Sequence, residues 1–178
     1  MSNYRRFRIE GGCYFFTVVL ANRQSSLLVE NIEYLRQAFR EVMMAHPFNI
    51  DAIVILPDHL HCIFTLPIND DNYSMRWRQI KSAFSRQLPS IEPRSASRIK
   101  HGERGIWQRR FWEHVIRDEQ DYYQHVDYIH YNPVKHGYAQ QVIDWKYSSF
   151  HRAVNCGIYS YNWGGQEINE KINGEYLE

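Results

Sequence analysis

The sequence predicts an α+β fold in which an antiparallel sheet is covered by helices. Two observations carry this. Short runs of aromatic and β-branched residues alternate along the chain with longer stretches whose apolar residues recur at helical spacing. In order they read strand, helix, strand, strand, helix, strand, helix. This βαββαβ plan is that of a ferredoxin-like sandwich, with helices on one face of the sheet.

Cys13-Tyr14-Phe15-Phe16-Thr17-Val18-Val19-Leu20 follows Gly11-Gly12 and reads as a buried strand. Asn31 is placed to cap a helix whose apolar positions are Ile32, Leu35, Phe39, Val42 and Met43, and His46-Pro47 ends it. Ile50–Leu56 is the second strand. Pro57-Asp58 turns the chain into the third, which runs on from His59. Ser74 is the expected cap of the next helix, which continues to about Leu88. Residues 89–105 lose periodicity and read as a loop. Residues 106–116 alternate partly, as a fourth strand would. Asp118 caps a last helix with Tyr122, Val126 and Ile129 on its buried side, and Pro133 is expected to end or bend it. After Asp144 the tail is aromatic without periodicity.

The chain has 178 residues, 44% of them hydrophobic, which suits one domain, with a core over about 3–143 and a tail over 144–178. No apolar run reaches the roughly 18 residues of a membrane span. The start lacks a secretory-signal plan, and three widely spaced cysteines argue against a disulfide framework, so a reducing cytoplasm is expected. Net charge is +1, yet residues 72–110 hold ten Lys/Arg against Glu92 and Glu103, a local +8. Such a block suits a phosphate-binding surface, although a solvated helix face would look the same.

The most informative chemistry is His59-Leu60-His61. On a strand, residues two apart share a face, so both imidazoles stand together opposite Leu60, Cys62 and Phe64. Two such rings are ready ligands for a divalent cation. Tyr128 and Asn132 are four residues apart and share one side of the last helix. A phenol beside a cation ionises below its usual pKa of about 10 and can attack phosphorus. Asn132 offers an oxygen ligand that, with imidazoles and water, suits Mg²⁺ or Mn²⁺. Tyr131 is a rival nucleophile about 100° around the helix from Asn132. Packing of Tyr128 through its ring, with Asn132 capping a turn before Pro133, is the alternative. Trp77 between Arg76 and Arg78, Trp112 after Arg109-Arg110, and nearby Lys81 mix cations with flat rings, which suits single-stranded nucleic acid; packing of the tryptophans in the core is the alternative. Arg5 and Arg6 would add an N-terminal arm.

At this point the residues resemble a known family. Pro57-Asp58-His59-Leu60-His61-Cys62-Ile63 looks like the His-hydrophobic-His motif of single-strand-specific HUH nucleases. Trp107-Gln108-x-Arg110-Phe111-Trp112-Glu113-His114 and Asp127-Tyr128-Ile129-His130-Tyr131-Asn132-Pro133-Val134-Lys135-His136-Gly137 resemble the REP-associated tyrosine transposases. Tyr4-Arg5-Arg6, Asp144-Trp145 and Ser148-x-Phe150-His151-Arg152 match as well, so the resemblance spans about residues 3–165. It implies a ferredoxin-like domain that cleaves and rejoins single-stranded DNA at repetitive extragenic palindromic hairpins. Tyr128 would be the nucleophile and His59, His61 and Asn132 the metal ligands. The expected DNA contacts are Arg5, Arg6, Arg76, Trp77, Arg78, Lys81, Arg109, Arg110, Trp112 and Lys135. Asn132 departs from the Gln of many insertion-sequence relatives, and residues 89–105 look longer than the family core. Two other readings stand beside this one: a non-catalytic hairpin-binding regulator, and a small metal hydrolase. Monomer and homodimer are both open.

Overall fold

The computed structural model describes residues 7–92 and 94–164. Four strands form one antiparallel sheet: β1 (Cys13–Val19), β2 (Asn49–Ile55), β3 (His59–Thr65) and β4 (Trp112–Val115), in the order β2-β3-β1-β4. Helices α1 (Leu27–Glu30) and α2 (Ile32–Ala45) follow β1, and α3 (Tyr73–Arg86) and α4 (Ala96–Lys100) follow β3. α5 (Glu119–Lys135) follows β4, and α6 (Phe150–Asn155) lies in the tail. Among the described residues no helix is long and apolar enough to cross a membrane.

The sheet is buried on both faces, because β1 and β3 carry apolar side chains on both. Tyr14, Phe16 and Val18 of β1 and Leu60, Cys62 and Phe64 of β3 pack against Leu35, Phe39, Trp77 and Ile80 of α2 and α3. Phe15, Ala52, Val54 and Ile63 point the other way and meet Val126, Tyr128 and Ile129 of α5. The helices α2 and α3 thus cover one face of the sheet, and the last long helix, α5, covers the histidine face. The entry to β1 needs both its glycines. Gly11 sits at φ +67°, and a Cβ on Gly12 would stand 2.8 Å from the Ile9 carbonyl.

Several element ends differ from the expected ones. The cap of α3 is Asn72, whose side chain accepts from the Met75 N–H at 3.1 Å; Ser74 lies inside the helix. The fourth strand is confined to 112–115, while Trp107 makes one bridge to Leu20 past the end of β1. The 89–105 segment contains α4, capped by Ser95, and is tied down by Arg104, which pairs with Glu92 and donates to the carbonyls of Ser85, Leu88 and Pro89. α5 runs through Pro133 and stops at Gly137 (φ +72°). There the Tyr138 and Gly137 N–H groups return to the carbonyls of Pro133 and Val134, a Schellman closure.

The tail also pairs with the sheet. Ile55 N–H donates to Tyr147 O at 2.9 Å and Ser149 N–H to Ile53 O at 2.8 Å, which covers the outer edge of β2. Trp145 Nε1 donates to Ile55 O at 3.0 Å, and Tyr159 donates to Asp127 of α5 at 2.5 Å. These contacts fix α5 across the histidine face.

Candidate active site

The strand register builds the site. Thr17 of β1 lies directly across from His61 of β3, and Val19 from His59, so all four share a face. Thr17 Oγ1 is 2.9 Å from His61 Nδ1. His59 Nδ1 is 2.7 Å from Asp58 Oδ1, and the other oxygen of Asp58 is paired with Arg23 at 2.6 Å. Both imidazoles are thus engaged at Nδ1, which fixes ring orientation and leaves coordination to Nε2. The two ring centroids are 5.0 Å apart.

α5 brings the other half. The Tyr128 ring meets His61 edge-on with centroids 5.1 Å apart. Asn132, one turn along, is fully buried, and neither polar atom of its side chain has a hydrogen-bond partner. A buried orphan amide costs about 1–3 kcal/mol. Asn132 lies on α5 between Tyr128, whose ring meets His61, and His136, whose ring meets His59, a placement that fits a ligand set for a cation that takes nitrogen and oxygen donors. Lys135 places Nζ 4.9 Å over the Tyr128 ring, and the His136 ring stands 5.4 Å from His59. Tyr131 instead packs with Val142 and Phe150 under the tail, so the rival nucleophile faces away. Asp58, Thr17, Arg23 and His136 were missed by motif reasoning. Asp58 directly precedes His59, but Thr17 and Arg23 become visible only once the strands are paired.

The expected DNA contacts divide into groups. Arg76 is 1% exposed: it pairs with Asp70 at 2.7 Å and donates to the carbonyls of His46 and Pro47. Trp77 is equally buried, stacked on Phe64 at 4.9 Å. Both hold the fold together and present no surface to DNA. Arg78 and Arg109 are exposed and line, with Lys81, a cleft of about 790 Å³ between α3 and residues 101–111. Lys81 donates to Gln108 O at 3.0 Å, and Arg109 is paired with Glu103 at 2.8 Å. Arg110 is exposed as well. Trp112, 45% exposed, lies on the opposite face with its ring 5.7 Å from Phe15, which in turn meets Tyr128 at 5.9 Å. Arg5 and Arg6 lie outside the described residues.

The family model described as "Transposase IS200 like" matches residues 11–132. A putative REP-associated tyrosine transposase of Haemophilus influenzae (strain ATCC 51907 / DSM 11121 / KW20 / Rd) is 52% identical over 176 residues, covering 98% of this chain and 99% of the relative. The REP-associated tyrosine transposase of Escherichia coli (strain K12) is 50% identical, with 99% of each chain covered. The chain belongs to the REP-associated tyrosine transposases. A solved REP-associated tyrosine transposase, bound to a REP hairpin, superposes with a TM-score of 0.82 at 46% identity, and all of both chains is covered. As a tyrosine transposase this chain is an enzyme, and the fold sets Tyr128 against His61.

Proposed function

We propose that this transposase cleaves and rejoins one strand of DNA beside REP-type hairpins, through a 5′-phosphotyrosine on Tyr128 and with Mg²⁺ or Mn²⁺ held by His59, His61 and Asn132. The observation that carries the reading is the Tyr128 ring set against His61, with the buried, unpartnered amide of Asn132 one turn along the same helix. The hairpin-bound relative supports the substrate class.

When bound, the cation supplies Lewis-acid polarisation of the phosphate and charge stabilisation. The chain does the rest. The Tyr128 phenol gives its proton to water and its oxygen attacks phosphorus. The P–O3′ bond breaks, leaving DNA joined to the enzyme through its 5′ phosphate and a departing strand that takes a proton as 3′-OH. A 3′-OH later attacks the same phosphorus and expels the tyrosine oxygen, so one phosphodiester replaces another and no ATP is consumed. Asp58 and Thr17 keep the imidazoles aimed. Lys135 offers positive charge where negative charge collects. Tyr128 is 1% exposed, so the groups over it must move before a phosphodiester reaches its oxygen.

The cleft beside α3, with Arg78, Lys81 and Arg109, is suited to a duplex stem, and Trp112 to the unpaired flank. A cytoplasmic location is the reading that goes with a genomic DNA substrate. The test is cleavage with Mn²⁺ of labelled hairpins with and without a single-stranded flank, beside blunt duplex. Cleavage of one strand of the flanked hairpin alone is expected. Equal cutting of blunt duplex would overturn the substrate assignment.

A further inference from the structure

Arg23 lies in the loop between β1 and α1, at the edge of the site. Its Nε is 2.6 Å from Asp58 Oδ2, and the other oxygen of that carboxylate is 2.7 Å from His59 Nδ1. The Asp58 side chain is 5% exposed and that of Arg23 45%, so the guanidinium and not the carboxylate meets solvent. Neither Nη group of Arg23 hydrogen-bonds a described residue. This separates Arg23 from the arginines that hold the fold together. Arg76 spends its guanidinium on Asp70 and two loop carbonyls, Arg104 on Glu92 and three carbonyls, and Arg152 on the carbonyls of Ile50 and Asp51.

The loop is fastened on both sides of Arg23. Leu20 N–H donates to Asp58 O at 2.8 Å, Ala21 N–H to Ile106 O at 2.9 Å, and Leu28 N–H to Pro57 O at 3.1 Å. Within it, Asn22 Oδ1 accepts from the Gln24 N–H at 3.0 Å and Ser25 Oγ from the Leu27 N–H at 3.2 Å. A cation held in this way loses little entropy when it takes a ligand. The two Nη groups form a planar fork that matches two oxygens of a phosphate. Contacts run in order from Lys135 through Tyr128, His61, His59 and Asp58 to Arg23. Arg23 therefore stands at the histidine end of the site, away from the nucleophile.

We propose that Arg23 binds the backbone of the cleaved strand, its Nη fork gripping a phosphate of the unpaired flank near the one that Tyr128 attacks. This rests on the reading of Tyr128 and the single-stranded flank given above. Asp58 then serves two neighbours with one buried carboxylate. It orients the ring of His59 and anchors the guanidinium of Arg23, so the grip on the strand and the aim of the histidine share a support.

The experiment is binding of blunt and flanked hairpins in chelator, where metal-dependent cleavage is silent, by the wild type and Arg23→Met. The flank is expected to raise wild-type affinity. Arg23→Met should lose roughly tenfold on the flanked hairpin, the worth of one hydrogen-bonded charge contact, and nothing on the blunt one. Its slope of log affinity against log salt should fall by about 0.7 on the flanked hairpin alone. Flanks carrying one methylphosphonate at each position in turn locate the contact: one position should weaken wild-type binding and leave that of Arg23→Met unchanged. If the flank adds no affinity in the wild type, the single-strand reading fails and this assignment with it. If the flank adds affinity but no methylphosphonate position weakens wild-type binding, or every position weakens both proteins alike, the substrate reading stands and Arg23 only orients Asp58.

Discussion

Lys135 holds its ammonium nitrogen 4.9 Å above the ring of Tyr128, about two turns further along α5. A cation there favours the phenolate and faces the phosphate that this oxygen would attack. Lys135→Met should slow strand cleavage roughly 5–30-fold, which corresponds to about 1–2 kcal/mol of lost electrostatic contact. Lys135→Arg should retain most of the rate. Single-turnover cleavage assays decide, and an unchanged rate in Lys135→Met would remove the residue from the mechanism.

Asn132 exposes a conflict between stability and function. Its side-chain amide is buried without a hydrogen-bond partner, which costs the fold about 1–3 kcal/mol. Asn132→Leu has a similar shape and no polar group. It should raise the melting temperature by a few degrees, at about 2–4 °C per kcal/mol for a chain of this size, and abolish cleavage. A fall in melting temperature would mean that the amide is satisfied in the folded protein.

The cationic residues should separate into two classes. Arg78→Ala and Arg110→Ala each remove an exposed charge and should reduce the slope of log affinity for hairpin DNA against log salt by roughly 0.7–0.9. Arg76→Ala should leave that slope unchanged and lower the melting temperature, because Arg76 is buried against Asp70 and two loop carbonyls. Affinity measured at several salt concentrations, beside melting curves, tests both halves.

Arg104 holds the Glu92 carboxyl at about 2, below its ordinary 4.5, through a direct hydrogen bond. A depressed carboxyl contributes stability above its unfolded value that is lost as pH falls through the folded one. The wild type should therefore melt above Glu92→Gln at neutral pH, and the gap should close between pH 4.5 and about 2. A gap independent of pH would mean that the ion pair does not anchor residues 89–105.

Much of this was legible in the chain itself, and the exceptions have physical causes. His59 and His61 share a face because a strand alternates, and Tyr128 and Asn132 share a side because a helix turns. Both follow from local geometry alone. Trp77 was legible too, since Tyr73, Trp77, Ile80 and Phe84 recur as a helical stripe that the neighbouring arginines obscured. Arg76 was not, because its partners include the carbonyls of His46 and Pro47, some thirty residues away. The end of α5 was misplaced because Pro133 forgoes an N–H without stopping the helix, while Gly137 supplies the left-handed residue that does.

The central claim is that the phenol oxygen of Tyr128 becomes bonded to DNA. It is tested most directly by incubating the enzyme with Mn²⁺ and a flanked hairpin, digesting with protease, and locating the nucleotide-bearing peptide by mass spectrometry. The account predicts a 5′-phosphate linkage on Tyr128 and none in Tyr128→Phe. An adduct on Tyr131, or strand cleavage by Tyr128→Phe, would contradict it.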